Sequence, residues 1–232
     1  MAQYSGTDNL EVMAFAKNYN QYLVDLVRRE VSASDSVLDF GAGIGTFAIP
    51  LKTRCRMISC VETDTSLSHR LKSLGYSVHS SSSDFSQSSI DFIYTLNVLE
   101  HIEDDAAVLE DFHRVLKSTG RVLIFVPAFN ILFSAMDSKV GHFRRYTKAG
   151  LAEKLQKAGF VVKTMTYVDS VGFLATLAYK VIGSRSGNLS RSSLILFDRF
   201  LFPISRILDL IFGQLFGKNL LVVAHPRPSG SL

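Results

Sequence analysis

Three glycines stand within five residues in the stretch SVLDFGAGIGTFAIP, Ser36 to Pro50, directly after an apolar run that carries Asp39. Glycine at such a turn lets the chain double back tightly and lets a ligand approach the main chain, so Gly41, Ala42 and Gly43 are the expected contacts. Two phosphate chemistries are disfavoured by the neighbours. A dinucleotide fingerprint wants glycine where Thr46 stands, and a phosphate loop ends in Gly-Lys-Ser/Thr, which is missing here. Glu62, with Thr63 beside it, lies about twenty residues further on, where a carboxylate can accept from both hydroxyls of a ribose. Asp84 in SSSDFS is placed to accept from an adenine amino group while Phe85 offers a backbone N–H and a ring edge. Read alone, Asp84 is equally a solvated turn residue. Asp39 can orient an ammonium, directly or through water, and TLNVLEHI brings Asn97, Glu100 and His101 to the same edge.

A nucleoside with a cationic tail and no phosphate answers this set, which suits S-adenosylmethionine, leaving S-adenosylhomocysteine as product. Its methionyl carboxylate is expected at the start of the helix that follows the glycines. Displacement at a sulfonium methyl needs alignment more than a base. If the acceptor is a hydroxyl, a positioned histidine can add something like 10²–10⁴-fold. His101 lies beside the expected methyl position, or else is a helix-start histidine bonded to a neighbouring loop. His142 in GHFRRYT and Tyr146 are the other catalytic candidates, with Asp137 either positioning His142 or standing free in the loop. Arg144 and Arg145 can grip an anionic or sugar-bearing acceptor through forked contacts, or form a solvated basic patch next to a helix capped by Thr147. Tyr19 and Tyr22 are candidates for a lid over the cofactor, or plain packing residues.

These residues need a frame, and short apolar runs alternating with helical patterns supply one. The spacing predicts leading helices over Leu10–Val31, then strand Ser36–Phe40, a helix from Thr46, strand Met57–Val61, helix Ser66–Leu74 and strand Ser77–His79. Strand Asp91–Leu96, helix Asp104–Leu116, strand Arg121–Pro127, helix Thr147–Ala158, strand Phe160–Tyr167 and a last strand Asn219–Ala224 follow. Strict alternation means parallel βαβ units in a doubly wound sheet, with ligands at the carboxyl ends of the strands.

Composition agrees with one α/β domain: 232 residues, 47% hydrophobic, 20% charged and a net charge of +4 spread along the chain, too mild to argue for nucleic acid. Cys55 and Cys60 fall on or beside one buried strand, so reduced apolar roles are expected rather than a disulfide or a metal site. Neither an export signal nor a membrane span is evident, which points to the cytoplasm.

VLDFGAGIGTFA, CVETD and LNVLEHIEDD, in this order and at these distances, resemble the motifs of class I S-adenosylmethionine-dependent methyltransferases. KNYNQYLVDLVRREV, VPAFNILFSAMDSKVGHFRRYT and LFDRFLFPISRILDLIFG are similar to a bacterial subgroup found near, or fused to, glycosyltransferases of cell-envelope saccharides. Glu62 stands where many relatives carry aspartate, and Cys60 where a small aliphatic residue is usual. The resemblance implies a Rossmann-like α/β fold: a seven-stranded, mostly parallel sheet with an antiparallel last strand. The implied layout is a single domain over 1–232, with a helical lid at 1–31, a core sheet at 36–168 and 218–225, and a helical insertion at 169–217. It also implies that the loop holding His142 covers the acceptor pocket.

In that insertion Leu194, Phe197, Leu201, Ile204, Leu208, Ile211 and Leu215 form an apolar stripe, kinked near Pro203, against a narrow polar face of Asp198, Arg199, Arg206 and Asp209. It is expected to complete the core or a homodimer interface across residues 170–216, to line a pocket for a lipid-linked acceptor, or to lie on the inner face of a membrane helped by Lys180, Arg185 and Arg191. The acceptor is expected to be an envelope saccharide, a lipid-linked intermediate or another small hydroxylated molecule. Rival readings are a carboxyl or secondary-metabolite methyltransferase and a non-catalytic docking protein that keeps the fold.

Overall fold

The computed structural model describes residues 13–182 and 191–228. Positions 1–12 of the expected lid, and Arg185 of the insertion, lie outside the described residues. The strands β1 (Ser36–Phe40), β2 (Met57–Val61) and β3 (Ser77–His79) form at their expected bounds, followed by β4 (Ile90–Leu96), β5 (Leu116–Pro127), β6 (Phe160–Val168) and β7 (Asn219–Pro226). They join in the order β3-β2-β1-β4-β5-β7-β6. Pairing is parallel from β3 through β5, and β7 runs antiparallel to both β5 and β6. The strand order reverses between β1 and β4, which opens the ligand crevice at their carboxyl ends.

Every residue of β1 is buried, because helices cover both faces of the sheet. One face packs Leu38, Phe40, Ile93, Ile124 and Val222, and the other Val37, Cys60, Phe92, Tyr94 and Phe125. Helix α1 (Lys17–Glu30) lays Leu23, Leu26 and Val27 onto the second face. Helices α2 (Thr65–Ser73), α3 (Asp105–Val115) and α5 (Lys148–Lys157) match expectation to within a residue or so at each end.

The helix expected from Thr46 does not form; a single 3₁₀ turn at Ile49–Leu51 replaces it. Gly45 is left-handed (φ +85°), and only a few residues separate Ile49 from β2, too short a run to repay helix nucleation. Conversely, the stretch before His142 contains an unforeseen helix, α4 (Ala135–Val140), bracketed by a Ser134/Asp137 capping box and by left-handed Gly141.

The insertion comprises α6 (Ser170–Ile182), α7 (Arg191–Leu196), a π-helical turn (Phe197–Leu201) and α8 (Phe202–Phe212). Pro203 cannot donate to the carbonyl one turn back, and the helix widens just upstream of it rather than breaking. The two carboxylates of the polar face point inward, while Arg199 stays exposed. Asp198 accepts from the backbone N–H groups of Asn18 and Tyr19 at 2.9 and 2.8 Å, and Asp209 accepts from those of Asp169 and Ser170 at 2.9 Å each. Two carboxylates of one helical arm thus cap the starts of α1 and α6. Of the apolar stripe, Ile204, Ile211 and Leu215 are exposed, joined by neighbouring Ile207 and Leu210, while Leu194, Phe197 and Leu208 are half-buried, so most of its apolar surface lies outside this chain's own core. No helix among the described residues is long and apolar enough to cross a membrane.

Candidate active site

The glycine loop is tied to β2 by its own N–H groups. Those of Gly41 and Ala42 both donate to the Val61 carbonyl, at 2.9 and 3.1 Å, and that of Gly43 donates to Glu62 Oε2 at 2.8 Å. Gly41, Gly43 and Gly45 all have positive φ, and a side chain on Gly41 would run into Val98 from the loop after β4. The bare backbone therefore serves a tight double bend packed beneath Val98, and the N–H groups of Gly41, Ala42 and Gly43 are already bonded within the protein.

Glu62 takes a second backbone donor, Asp64 N–H, on Oε1 at 2.8 Å. Each carboxylate oxygen keeps a further lone pair, so the side chain is fixed at the strand end and still able to accept hydroxyls. Glu62 and Thr63 share an open cleft of about 370 Å³ with His79, Ser80 and Asp84. Asp84 closes the 3₁₀ turn Ser82–Asp84 through the Ser81 N–H and leaves much of its carboxylate to the cleft. Phe85 differs from expectation. Its N–H donates to Ser82 at 3.1 Å and its ring packs on His79 and the core, leaving ring contact as what it offers.

At the switch point itself, in β1, Asp39 is buried, and its Oδ2 accepts no hydrogen bond among the described residues. Burial, reinforced by the charge of Glu62, pushes its carboxyl up to about 7. The Tyr94 hydroxyl pulls the other way without completing a bond of ordinary geometry. Asn97 sits in the left-handed region (φ +56°), and its amide donates to the Tyr19 hydroxyl at 3.3 Å. Tyr19 also packs edge-on against Phe125 and Phe202, which joins α1, the sheet and the insertion above this crevice. Tyr22 packs on Phe202 and stacks beneath Arg206.

S-adenosylmethionine fits this crevice. A buried carboxylate oxygen lacking a donor suits its ammonium, and Glu62 and Asp84 in one cleft suit its ribose and adenine. One expectation fails: with only a 3₁₀ turn after the glycines, no helix start is present to receive the methionyl carboxylate.

The acceptor side is organised by Asp137. Its carboxylate accepts from the Ser134 N–H, from Arg145 Nε and Nη2 at 2.8 and 3.1 Å, and from His142 Nδ1 at 2.8 Å. Burial would raise its pKa, but the hydrogen bonds from His142 and Arg145 hold it well below the usual carboxylate range. An ionised Asp137 makes His142 Nδ1 the donor and turns Nε2 toward Glu100, 3.9 Å away. His101 meets the His142 ring edge to face at 4.6 Å between centroids. Burial, and then the neighbouring His142, depress His101 to about 4, although it hydrogen-bonds the Gly141 and Val140 backbone.

The arginines and Tyr146 are differently employed than expected. Arg145 is buried, with its guanidinium on Asp137 and the Ala128 carbonyl. Arg144 is paired with Asp105 at 2.7 Å and donates to the Glu103 carbonyl. Tyr146 is buried, its hydroxyl donating to Asp105 at 2.7 Å while Lys154 reaches the other Asp105 oxygen. These contacts brace the loop against α3 and α5, and they occupy both guanidinium forks that were expected to grip an acceptor. Sequence reasoning brought Glu100 to the edge without assigning it work. Its signal was a carboxylate set directly before a histidine at the end of a buried strand.

The family model described as a methyltransferase domain matches residues 15–164. No curated protein matches the chain by sequence. Solved structures that share the fold include a complex between the Haloferax volcanii Trm112 methyltransferase activator and a methyltransferase, with TM-score 0.67, 16% identity, and coverage of 97% of this chain and 96% of that one. The YcgJ protein from Bacillus subtilis has a TM-score of 0.61 at 17% identity, covering 90% of this chain and 100% of its own. A geranyl diphosphate C-methyltransferase from Streptomyces coelicolor, in complex with Mg²⁺, geranyl diphosphate and S-adenosylhomocysteine, has a TM-score of 0.58 at 13% identity, covering 84% and 72%.

Proposed function

The chain belongs to the methyltransferase-domain family and uses S-adenosylmethionine, and on that premise we propose that it methylates a hydroxyl of a lipid-linked saccharide or a similar amphiphilic acceptor. When bound, S-adenosylmethionine supplies an electrophilic methyl group on a sulfonium. In this reading Glu62 holds the ribose hydroxyls, Asp84 with the Phe85 ring flanks the adenine, Asp39 receives the ammonium, and Tyr19 with Asn97 closes over the crevice. Glu100, His101 and His142 receive the acceptor oxygen and favour loss of its proton, with His142 held in one orientation by Asp137.

The observation that carries the acceptor class is how the insertion meets the loop around His142. Lys180 donates to the Ile131 carbonyl at 2.7 Å, and Phe173 packs on Phe129, itself left-handed at φ +60° where β5 gives way to the loop. The arm that walls the acceptor loop therefore also carries the outward apolar stripe. Such an arm suits an acceptor with a greasy tail and a polar head at the histidines, presented at the inner surface of a membrane.

The test is transfer of labelled methyl from S-adenosylmethionine to polyprenyl-linked saccharides in detergent, beside water-soluble sugars and fatty carboxylates. Transfer to the lipid-linked set supports the reading. Transfer confined to carboxylates overturns it.

A further inference from the structure

Glu100 lies in the 3₁₀ turn Leu99–His101 and is completely buried, yet neither of its carboxylate oxygens accepts a hydrogen bond among the described residues. A buried polar group in that state costs free energy unless something satisfies it. The nearest candidate, His142 Nε2, is 3.9 Å away, beyond hydrogen-bond reach. Burial raises Glu100 to about 8, and the pull of its own backbone N–H and of the Arg145 charge compensates only partly.

What surrounds this carboxylate is a donor set. One Glu100 oxygen and one ring nitrogen each of His101 and His142 lie within 4.8 Å of one another. The His142 ring is oriented from behind, and the His101 ring is bonded to neighbouring backbone. His142 gives Nδ1–H to Asp137, itself fixed by Arg145 and Ser134, and His101 bonds the Val140 and Gly141 backbone. A histidine that donates one ring N–H to a carboxylate or carbonyl presents the lone pair of its other nitrogen, the arrangement that steadies metal-bound imidazoles.

We infer that Glu100, His101 and His142 bind a divalent transition-metal ion of the zinc, manganese or iron(II) class, with an open position for the acceptor oxygen. Two imidazoles and one carboxylate suit such ions and leave room for a further ligand. Bonds of about 2.1 Å place ligands roughly 3.4 Å apart in a tetrahedron, so the three side chains close in by about an ångström or slightly more. The ion satisfies the charge of Glu100 and the oxygen that binds it. A hydroxyl held at the open position gives its proton to solvent water, the O–H electron pair remaining on oxygen. Sequence reading expected no metal, because its ligands come from one turn and one distant loop with no metal-type spacing. This inference deepens the function proposed above and depends on it for the identity of the acceptor alone.

The experiment is calorimetric titration of chelator-treated protein with Zn²⁺ and Mn²⁺, together with Co²⁺ followed by its visible ligand-field bands. Wild type is compared with Glu100→Gln, His142→Asn and, as control, Glu103→Gln. S-adenosylmethionine affinity is measured on every sample. One ion per wild-type chain, bound tenfold or more weaker in Glu100→Gln and His142→Asn and unchanged in Glu103→Gln, supports the site, provided donor affinity persists as proof of folding. Absence of stoichiometric binding of all three ions, or binding that survives Glu100→Gln, overturns it. Metal binding without S-adenosylmethionine binding keeps this inference and overturns the donor reading instead. Should Glu100→Gln fail to fold, the Co²⁺ spectrum of His142→Asn decides: bands identical to wild type overturn the site.

Discussion

Asp198 accepts the backbone N–H of Tyr19 at 2.8 Å across a separation of 179 residues. The first turn of α1 is thereby capped by a side chain from the π-helical turn of the insertion, and Tyr19 is held where it can meet Asn97. Asp198→Ala should lower stability by about 1 kcal/mol, as loss of a helix cap does. It should also speed amide exchange in α1 selectively and weaken S-adenosylmethionine binding. Exchange rates in α1 equal to wild type would show that the cap does not hold the lid.

Glu62 braces Gly43 and Asp64, and in the proposed reading it also accepts the ribose hydroxyls. Glu62→Ala should weaken S-adenosylmethionine binding by roughly 1–3 kcal/mol. Calorimetry on a folded variant checks this, and unchanged affinity removes the ribose assignment.

The carboxyl of Asp39 is pushed up to about 7 by burial. A carboxyl whose pKa is higher folded than unfolded binds protons more tightly in the native state. In the ligand-free protein, stability should therefore fall as pH rises from about 4 to about 7. An ammonium beside Asp39 favours the ionised form, so donor affinity should rise with pH across the upper part of that window and binding should release a proton. Titrations in buffers of differing ionisation heat measure that proton. Asp39→Asn should abolish the release, and a release that persists in Asp39→Asn places it elsewhere.

Tyr146→Phe separates bracing from chemistry. Its hydroxyl is bonded to Asp105, whose pKa burial would raise but which hydrogen bonds from Lys154 and Tyr146 hold below the ordinary range. The substitution should cost about 1 kcal/mol of stability and leave kcat for methyl transfer within about twofold. A collapse of kcat with an unchanged melting temperature would return Tyr146 to the reacting groups.

Much of the frame was readable because apolar period alone decides it: β1, β2 and β3 stand where the alternation put them, as does the return strand β7. The helix after the glycines was misread because its pattern is amphipathic while its length is too short to nucleate, a matter of loop geometry rather than composition. The place of Glu62 at the end of β2 was legible from its distance to the loop, and that of Asp84 from the end of β3. Asp137 was read as a candidate support for His142, but its bond to buried Arg145 was not legible, since the end of α4 and the turn at Gly141 must fold back to bring Arg145 onto it. Asp198 was read as one member of a polar stripe, and nothing local to it announces a partner at the other end of the sequence.

Val168 and Asn219 face each other as the last paired rung of β6 and β7. The whole arm from Asp169 to Lys218 therefore leaves the sheet and rejoins it at one point, topologically an overgrown hairpin loop. Such an appendage can be traded between relatives or trimmed in the laboratory while the strands that hold the donor keep their register, provided the α1 cap lost with Asp198 is replaced. If the arm sets acceptor choice as proposed, that property can diverge by exchange of a module while the scaffold changes slowly.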